Sequence, residues 1–349
     1  MDVWTPLHTR VHSTLKQSQL LPKRQRILMA VSGGQDSLCL ARLLLDLQPK
    51  WEWELAIAHC DHRWRDDSAA NADRVEALAK TWNLPFYRCV ASEAVPSEAA
   101  ARRWRYGELA QIAVRERFKV VVTGHSQSDR AETLLYNLVR GTGADGLQAL
   151  AWRRELTDGV SLVRPLLEIS RDETGQFCRE RGLPVWEDIT NRDLKHPRNR
   201  IRLELLPYLK EQFNPAVEVH LARTAELLRA EVAHLEREAE ILLQQAIAAA
   251  DDDTDGRLPL RLDRRPLKAA PLALRRRAMR QFLTLHLAVA PSFKHIEKLT
   301  ALIEAPGRSQ TDPFPGGAIA CVERPWILWR PPPQAEADSS INPEIDACS

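Results

Sequence analysis

Apolar residues arrive along this chain in two rhythms. Short, mostly apolar runs at 27–31, 55–58, 86–90 and 120–123 each stop at a polar or glycine-bearing stretch, the pattern of buried parallel strands. Between them apolar positions recur at helical spacing. Leu38, Leu40, Ala41, Leu43, Leu44, Leu45 and Leu47 line one helix; 67–82, 97–118 and 131–140 read as three more. Strands alternating with helices in this way predict an α/β, doubly wound parallel sheet. Residues 1–26 read as a lead-in helix with Val3, Leu7, Val11 and Leu15 on one face. A turn and helix over 165–182 should end at Gly182. Beyond Asn214-Pro215 the rhythm changes, so a catalytic-size domain over 27–214 is expected to give way to a smaller, mainly helical domain over 215–330. There a long helix over 216–250 places Leu221, Ala225, Leu228, Val232, Leu235, Ala239, Leu242 and Ala246 in alternating steps of four and three. That seam suits a helical core, an antiparallel pair or a homodimer coiled coil. Helices over 271–287 and 293–304 and a hairpin of 318–322 with 326–329 should follow, and 331–349 lacks periodicity and reads as a disordered tail.

Composition narrows the class. The 349 residues suit two domains and a tail, and 44% hydrophobic with 28% charged residues is ordinary for a soluble globular protein. No apolar run is long enough for a bilayer and no signal peptide is evident, so a cytoplasmic protein without a membrane partner is expected. Six cysteines are scattered with no Cys-x-x-Cys, which argues against a zinc ribbon, an iron–sulfur cluster or a disulfide scaffold. A net charge of +2 gives no global pull on nucleic acid. Basic clusters at 102–105, 198–202, 261–265 and 275–277 nevertheless give local positive surface, or the solvated faces of ordinary helices.

The strand ends carry the candidate chemistry. Ser32, Gly33, Gly34, Gln35, Asp36 and Ser37 lie between the first strand and its helix. Glycines admit a phosphate close to the backbone, helix-start amides point at it, and Asp36 offers a carboxylate for Mg²⁺. An ordinary capped helix start would use the same residue types. No Walker lysine motif occurs, and the Gly-x-Gly-x-x-Gly at 141–146 follows a helix, so it reads as a helix-ending turn. His59, Asp61 and His62 at the second strand end suit nucleotide contact or loop structure better than a transition-metal site. At the fourth, His125 and Asp129 can face one phosphate or reacting base, or cap a helix.

The 32–37 stretch resembles the SGGxDS loop of the PP-loop (N-type) ATP pyrophosphatases, which cleave ATP between the α- and β-phosphates and adenylate a substrate. With ARRWRY at 101–106, TGHSQSDRAETLLYNLVRGTGADGL at 123–147, RPLLEISRDE at 164–173, WEDITNRD at 186–193 and RNRIRLELLP at 198–207, the first two-thirds of the chain resembles the tRNA(Ile)-lysidine synthetases. The resemblance implies ligation of L-lysine to C2 of the wobble cytidine of the CAU-anticodon isoleucine tRNA, with ATP and Mg²⁺. It implies ATP and metal at Ser32–Ser37 with Asp36, and a reacting centre containing His125, Asp129 and Arg105. Arg102, Arg198 and Arg202 are then expected on RNA or nucleotide phosphates, with ion pairs to acids such as Glu187 or Glu204 the competing expectation. The second domain would grip tRNA. Many relatives carry two acids before the Ala-Glu-Thr; here the first position is Ser128, leaving Asp129 alone. Another PP-loop tRNA modifier, such as a thiolase, is the alternative, disfavoured by the scattered cysteines.

Overall fold

The structure, a computed structural model, describes residues 4–63, 67–93, 95, 97–186, 193–247 and 260–331. The chain divides into two compact units, 1–230 and 231–349. In the first, the expected strands form as β1 (Arg26–Ala30), β2 (Glu54–Asp61), β3 (Phe86–Val90) and β4 (Val120–Thr123). All pair in parallel, in the order β3-β2-β1-β4. The chain therefore winds outward from β1 and returns to its other side, so the crevice between the carboxyl ends of β1 and β4 is the switch point where such sheets bind ligands.

Period-two alternation sorts side chains to the two faces. Ile27, Met29, Leu55, Ile57, Val120 and Val122 join one core, with α1 (Pro6–Gln17), α2 (Gln35–Trp51) and α7 (Arg171–Glu180). Leu28, Ala56, Ala58 and Val121 join the other, under Leu109 and Ile112 of α4 (Glu98–Arg115). The lead-in helix belongs to this fold, since Leu7, Val11 and Leu15 are buried; Val3 lies outside the described residues. The helices α3 (Ser68–Thr81) and α5 (Gln127–Val139) complete the expected alternation. A short α6 (Ala144–Leu147) follows the turn that ends α5.

A hairpin of β5 (Arg153–Thr157) and β6 (Val160–Val163) extends the sheet beyond β4, with β6 parallel to β4 and β5 antiparallel at the edge. The sheet is thus not wholly parallel. The hairpin was not anticipated because Arg-Arg-Glu-Leu-Thr is mostly polar, although Asp158-Gly159 carries the turn chemistry and Gly159 has φ +69°.

After α7, Pro197 opens α8 (Pro197–Arg200), a π-helical turn spans Ile201–Leu205, and α9 (Leu206–Gln212) follows. The long helix α10 (Val217–Ala246) starts near its expected place, and the first compact unit runs along it to residue 230. Its seam is buried within this chain at Ala225, Val232, Ala239, Leu242 and Ala246.

The second unit has a three-stranded antiparallel sheet, β7-β9-β8, of β7 (Leu260–Asp263), β8 (Ile319–Glu323) and β9 (Trp326–Arg330). It packs with α11 (Arg264–Ala269), α12 (Leu272–His286) and α13 (Phe293–Ala301) around Met279, Phe282, Leu299, Ile303 and Trp329. The hairpin was expected; β7 and α11 were not, being short and arginine-rich. The end of the expected 216–250 helix, from 248, and the tail from 332 lie outside the described residues.

Candidate active site

Helix α2 begins at Gln35, with Gly34 as its extended N-cap residue, so the first-turn amides face the end of β1. A hydroxyl network shapes this turn. The Ser32 amide and hydroxyl reach Ser37 Oγ at 3.1 and 3.2 Å, and Ser37 Oγ donates to the Gly34 carbonyl at 2.9 Å. Gly33 sits at φ +89°, where a Cβ would come within 2.2 Å of Asn71 Oδ1. Asn71 Nδ2 donates to the Ser32 carbonyl at 2.9 Å, and the Trp186 amide donates to the Gly33 carbonyl at 2.9 Å. The turn is therefore held from outside, by α3 and by the segment after α7.

Asp36 is held by α7. The Thr174 hydroxyl donates to Oδ1, and the Arg171 guanidinium lies 3.5 Å from Oδ2. Burial, then the charge of Asp129, pushes the Asp36 carboxyl above its usual range, against the pull of Arg171 and Thr174. Gln35 Nε2 locks the same contact by donating to the Arg171 carbonyl at 2.7 Å. Sequence reasoning assigned no role to Asn71, Arg171 or Thr174; the only signal was that Arg171 lies inside the 164–173 motif.

The β4 turn closes on this loop. A Cβ at Gly124 would lie 2.7 Å from the Asp36 carbonyl carbon and oxygen, so only glycine permits this approach. His125 Nδ1 shares a hydrogen bond with Thr123 Oγ1 at 2.8 Å. Burial, with Arg164, Arg102 and Arg105 in the same direction, drives the imidazole pKa down to about 3 against the pull of Asp129; the ring is neutral at physiological pH. Asp129 lies in the first turn of α5, not ahead of it. Its Oδ2 accepts from the Ser126 amide and hydroxyl at 2.8 and 2.9 Å, a capping box, and its Oδ1 accepts from Arg202 at 3.2 Å. Burial raises its pKa, but His125 first, then Arg202 and the Ser126 hydrogen bonds, outweigh that and hold it below the usual range.

The expected phosphate-binding arginines separate into two kinds. Arg202 is engaged bidentately by Glu132, at 2.6 and 2.8 Å, as well as by Asp129. Its acid partners are these, whereas Glu204 pairs with Arg200 and Glu187 lies outside the described residues. Arg198 pairs with Glu98 at 3.1 Å and lies over the Tyr136 ring. Arg102 and Arg105, on α4, have no carboxylate partner among the described residues. In the second unit Arg275, Arg276 and Arg277 pair with Glu304, Glu297 and Glu236, and Arg264 is buried.

The 59–65 segment is partly structural. His59 is buried on β2 with Nδ1 2.8 Å from the Val31 carbonyl, and Asp61 Oδ1 accepts from the Arg63 amide. Among the described residues no three His, Cys, Asp or Glu side chains form a metal-holding group. A cavity of about 70 Å³ lies between Ser32, His59, Asp61, Asn71 and Trp186, against the loop. A larger one of about 440 Å³, lined by Arg10, Arg130, Glu168, Glu173, Arg223 and Glu226, does not reach the 32–37 turn. Four of the six cysteines, scattered in sequence, meet in space: Cys60 and Cys89 are register partners on β2 and β3, and Cys39 contacts Cys178, all as free thiols.

A serine- and glycine-built turn opening a helix at the switch point of this sheet defines the PP-loop class of ATP-using enzymes, and the PP-loop domain model matches residues 6–209. The fold is shared with the U34-tRNA thiolase NcsA of Methanococcus maripaludis (TM-score 0.55, 17% identity, 64% of this chain and 77% of that one). Residues 262–324 match the TilS substrate binding domain. The tRNA(Ile)-lysidine synthases of Nostoc sp. and Synechocystis sp. are 60% and 51% identical, over 94% and 93% of this chain and 98% of each relative. The chain belongs to the tRNA(Ile)-lysidine synthase family, a family of ligases.

Proposed function

We propose that this chain uses ATP to join L-lysine to C2 of the wobble cytidine of an isoleucine tRNA with a CAU anticodon. ATP adenylates cytidine O2, releasing pyrophosphate, and the lysine ε-amine displaces AMP. The observation that carries this reading is the closure of Gly124 onto Asp36, which joins the phosphate loop and the His125 turn into one site, in a chain that matches lysidine synthases nearly end to end.

The α2 amides with Ser32 and Ser37 would hold the pyrophosphate portion of ATP. Asp36 suits Mg²⁺: its carboxyl is buried and repelled by Asp129, and Oδ2 has only the 3.5 Å contact to Arg171, so a cation would relieve the strain on its charge. Bound Mg²⁺ would neutralise phosphate charge. His125, being neutral, hydrogen-bonds the reacting groups instead of supplying positive charge. Arg105 and Arg102 supply the positive charge. Asp129 and Arg202 hold the first turn of α5 in place. We place the reaction in the cytoplasm, where tRNA and ATP are available.

Incubation with ATP, Mg²⁺, labelled lysine and the CAU isoleucine tRNA should put lysine into the RNA, with AMP formed in step. Folded, ATP-binding protein that leaves the RNA unlabelled would overturn the reading and send the search to other PP-loop tRNA reactions.

A further inference from the structure

We propose that Tyr106, Arg102, Arg154 and Arg164 form a seat for one backbone phosphate of the RNA substrate, beside His125. The seat rests on the RNA reading above. Tyr106 points from α4 into the core under the β4–β6 side of the sheet. Arg102 lies over its ring at 5.4 Å and Arg154 at 4.7 Å, while Arg164 faces its hydroxyl. Arg164 is only 2% exposed. One of its nitrogens donates to the Ala151 carbonyl at 2.7 Å, and its Nε is buried with no partner among the described residues.

No carboxylate pairs with any of the three arginines among the described residues, unlike Arg198, Arg202 and the 275–277 cluster. Guanidiniums gathered without an acid repel one another, and a buried N–H without an acceptor is costly. An oxyanion held by the part-buried Arg102 and Arg154 ends the repulsion, with Arg164 backing the phenol from within the core. Arginine forks match phosphate geometry, and the phenol adds a neutral donor. Against its burial, the surrounding arginines pull the Tyr106 pKa down, the mark of a local field that favours negative charge.

Position selects the RNA. The ATP-type loop starts α2, which packs on one face of the sheet, whereas α4 covers the opposite face and contacts β4, β5 and β6. His125, whose charge environment includes Arg164, Arg102 and Arg105, follows the end of β4, the strand paired with β6. The polyphosphate is held on one side of the reacting centre and the strand bearing the cytidine on the other.

The test measures tRNA binding over a salt series, and ATP binding separately, for Arg154→Gln, Arg102→Gln, Tyr106→Phe and the double arginine variant. Melting curves confirm folding. Each arginine variant should weaken tRNA binding roughly tenfold and lower the salt slope by about one, and Arg154→Gln, which lies outside the reacting centre, should leave ATP binding unchanged. Because one phosphate is shared, the double variant should lose no more than about one in slope. Tyr106→Phe should weaken binding less and leave the slope intact. Unchanged tRNA affinity and slope in folded variants would overturn the seat, as would a loss confined to ATP. Lysine incorporation by the wild-type protein, run in parallel, separates failure of the seat from failure of the reaction.

Discussion

Two turns in this protein do the same architectural job, ending a parallel strand and starting a helix, and use the same kinds of residue. They finish in opposite states. At 126–129 the polar groups are committed to each other: Ser126 and Asp129 cap α5, and Arg202 completes the carboxylate. At 32–37 the hydroxyls hold the shape of the turn but Asp36 keeps a raised pKa: burial and the charge of Asp129 outweigh the Thr174 hydrogen bond and the 3.5 Å contacts of Arg171 and Gln35. We read the turn whose charges are balanced as structural, and the one whose carboxylate is left under-neutralised as the place for a ligand.

The largest effect that would break this contrast is on activity. Asp36→Ala should lower lysine incorporation on the order of a thousandfold, the scale of losing an electrostatic contact at a reacting phosphate. Gly124→Ala comes next, since a Cβ 2.7 Å from the Asp36 backbone displaces the loop itself. Activity should fall more than about tenfold and stability by roughly 1–3 kcal/mol in denaturant titrations. Asp129→Asn should instead cost stability, about 2 kcal/mol, through a weakened cap and a less balanced Arg202.

The smallest effect is a pH slope. Burial lowers the pKa of both His59 and His125 below the unfolded value of 6.5. The unfolded chain therefore binds protons first as pH falls, and the stability these rings contribute above pH 6.5 is lost progressively below it. Melting temperature should drop between pH 7 and 5, less so in His125→Gln. A pH profile unaltered by that substitution would count against the neutral ring.

The strands around the switch point were legible because fully buried strands are short continuous apolar runs, and the 32–37 turn because it follows such a run directly and opens a helix. What sequence could not show was who holds the site. Thr174 and Arg171 reach Asp36 from more than a hundred residues away, and a threonine in a helix pattern carries no mark of that. Charge clusters left two readings open for a related reason. Arg202 sits in an arginine-rich run, yet Glu132 and Asp129, on another helix, neutralise it, while Arg102, Arg154 and Arg164 come from three elements and meet only in the fold. The β5–β6 hairpin was hidden by its polar edge strand.

The most direct test pairs two near-isosteric substitutions, Asp36→Asn and Asp129→Asn, each measured for lysine incorporation into tRNA and for thermal stability. Removing the raised-pKa carboxylate should abolish turnover while leaving the melting temperature equal or higher, because a buried charge is lost with its repulsion. Removing the balanced one should lower the melting temperature and spare more of the activity. An Asp36→Asn protein that turns over normally, or that melts well below an active Asp129→Asn protein, would contradict the division between the two turns.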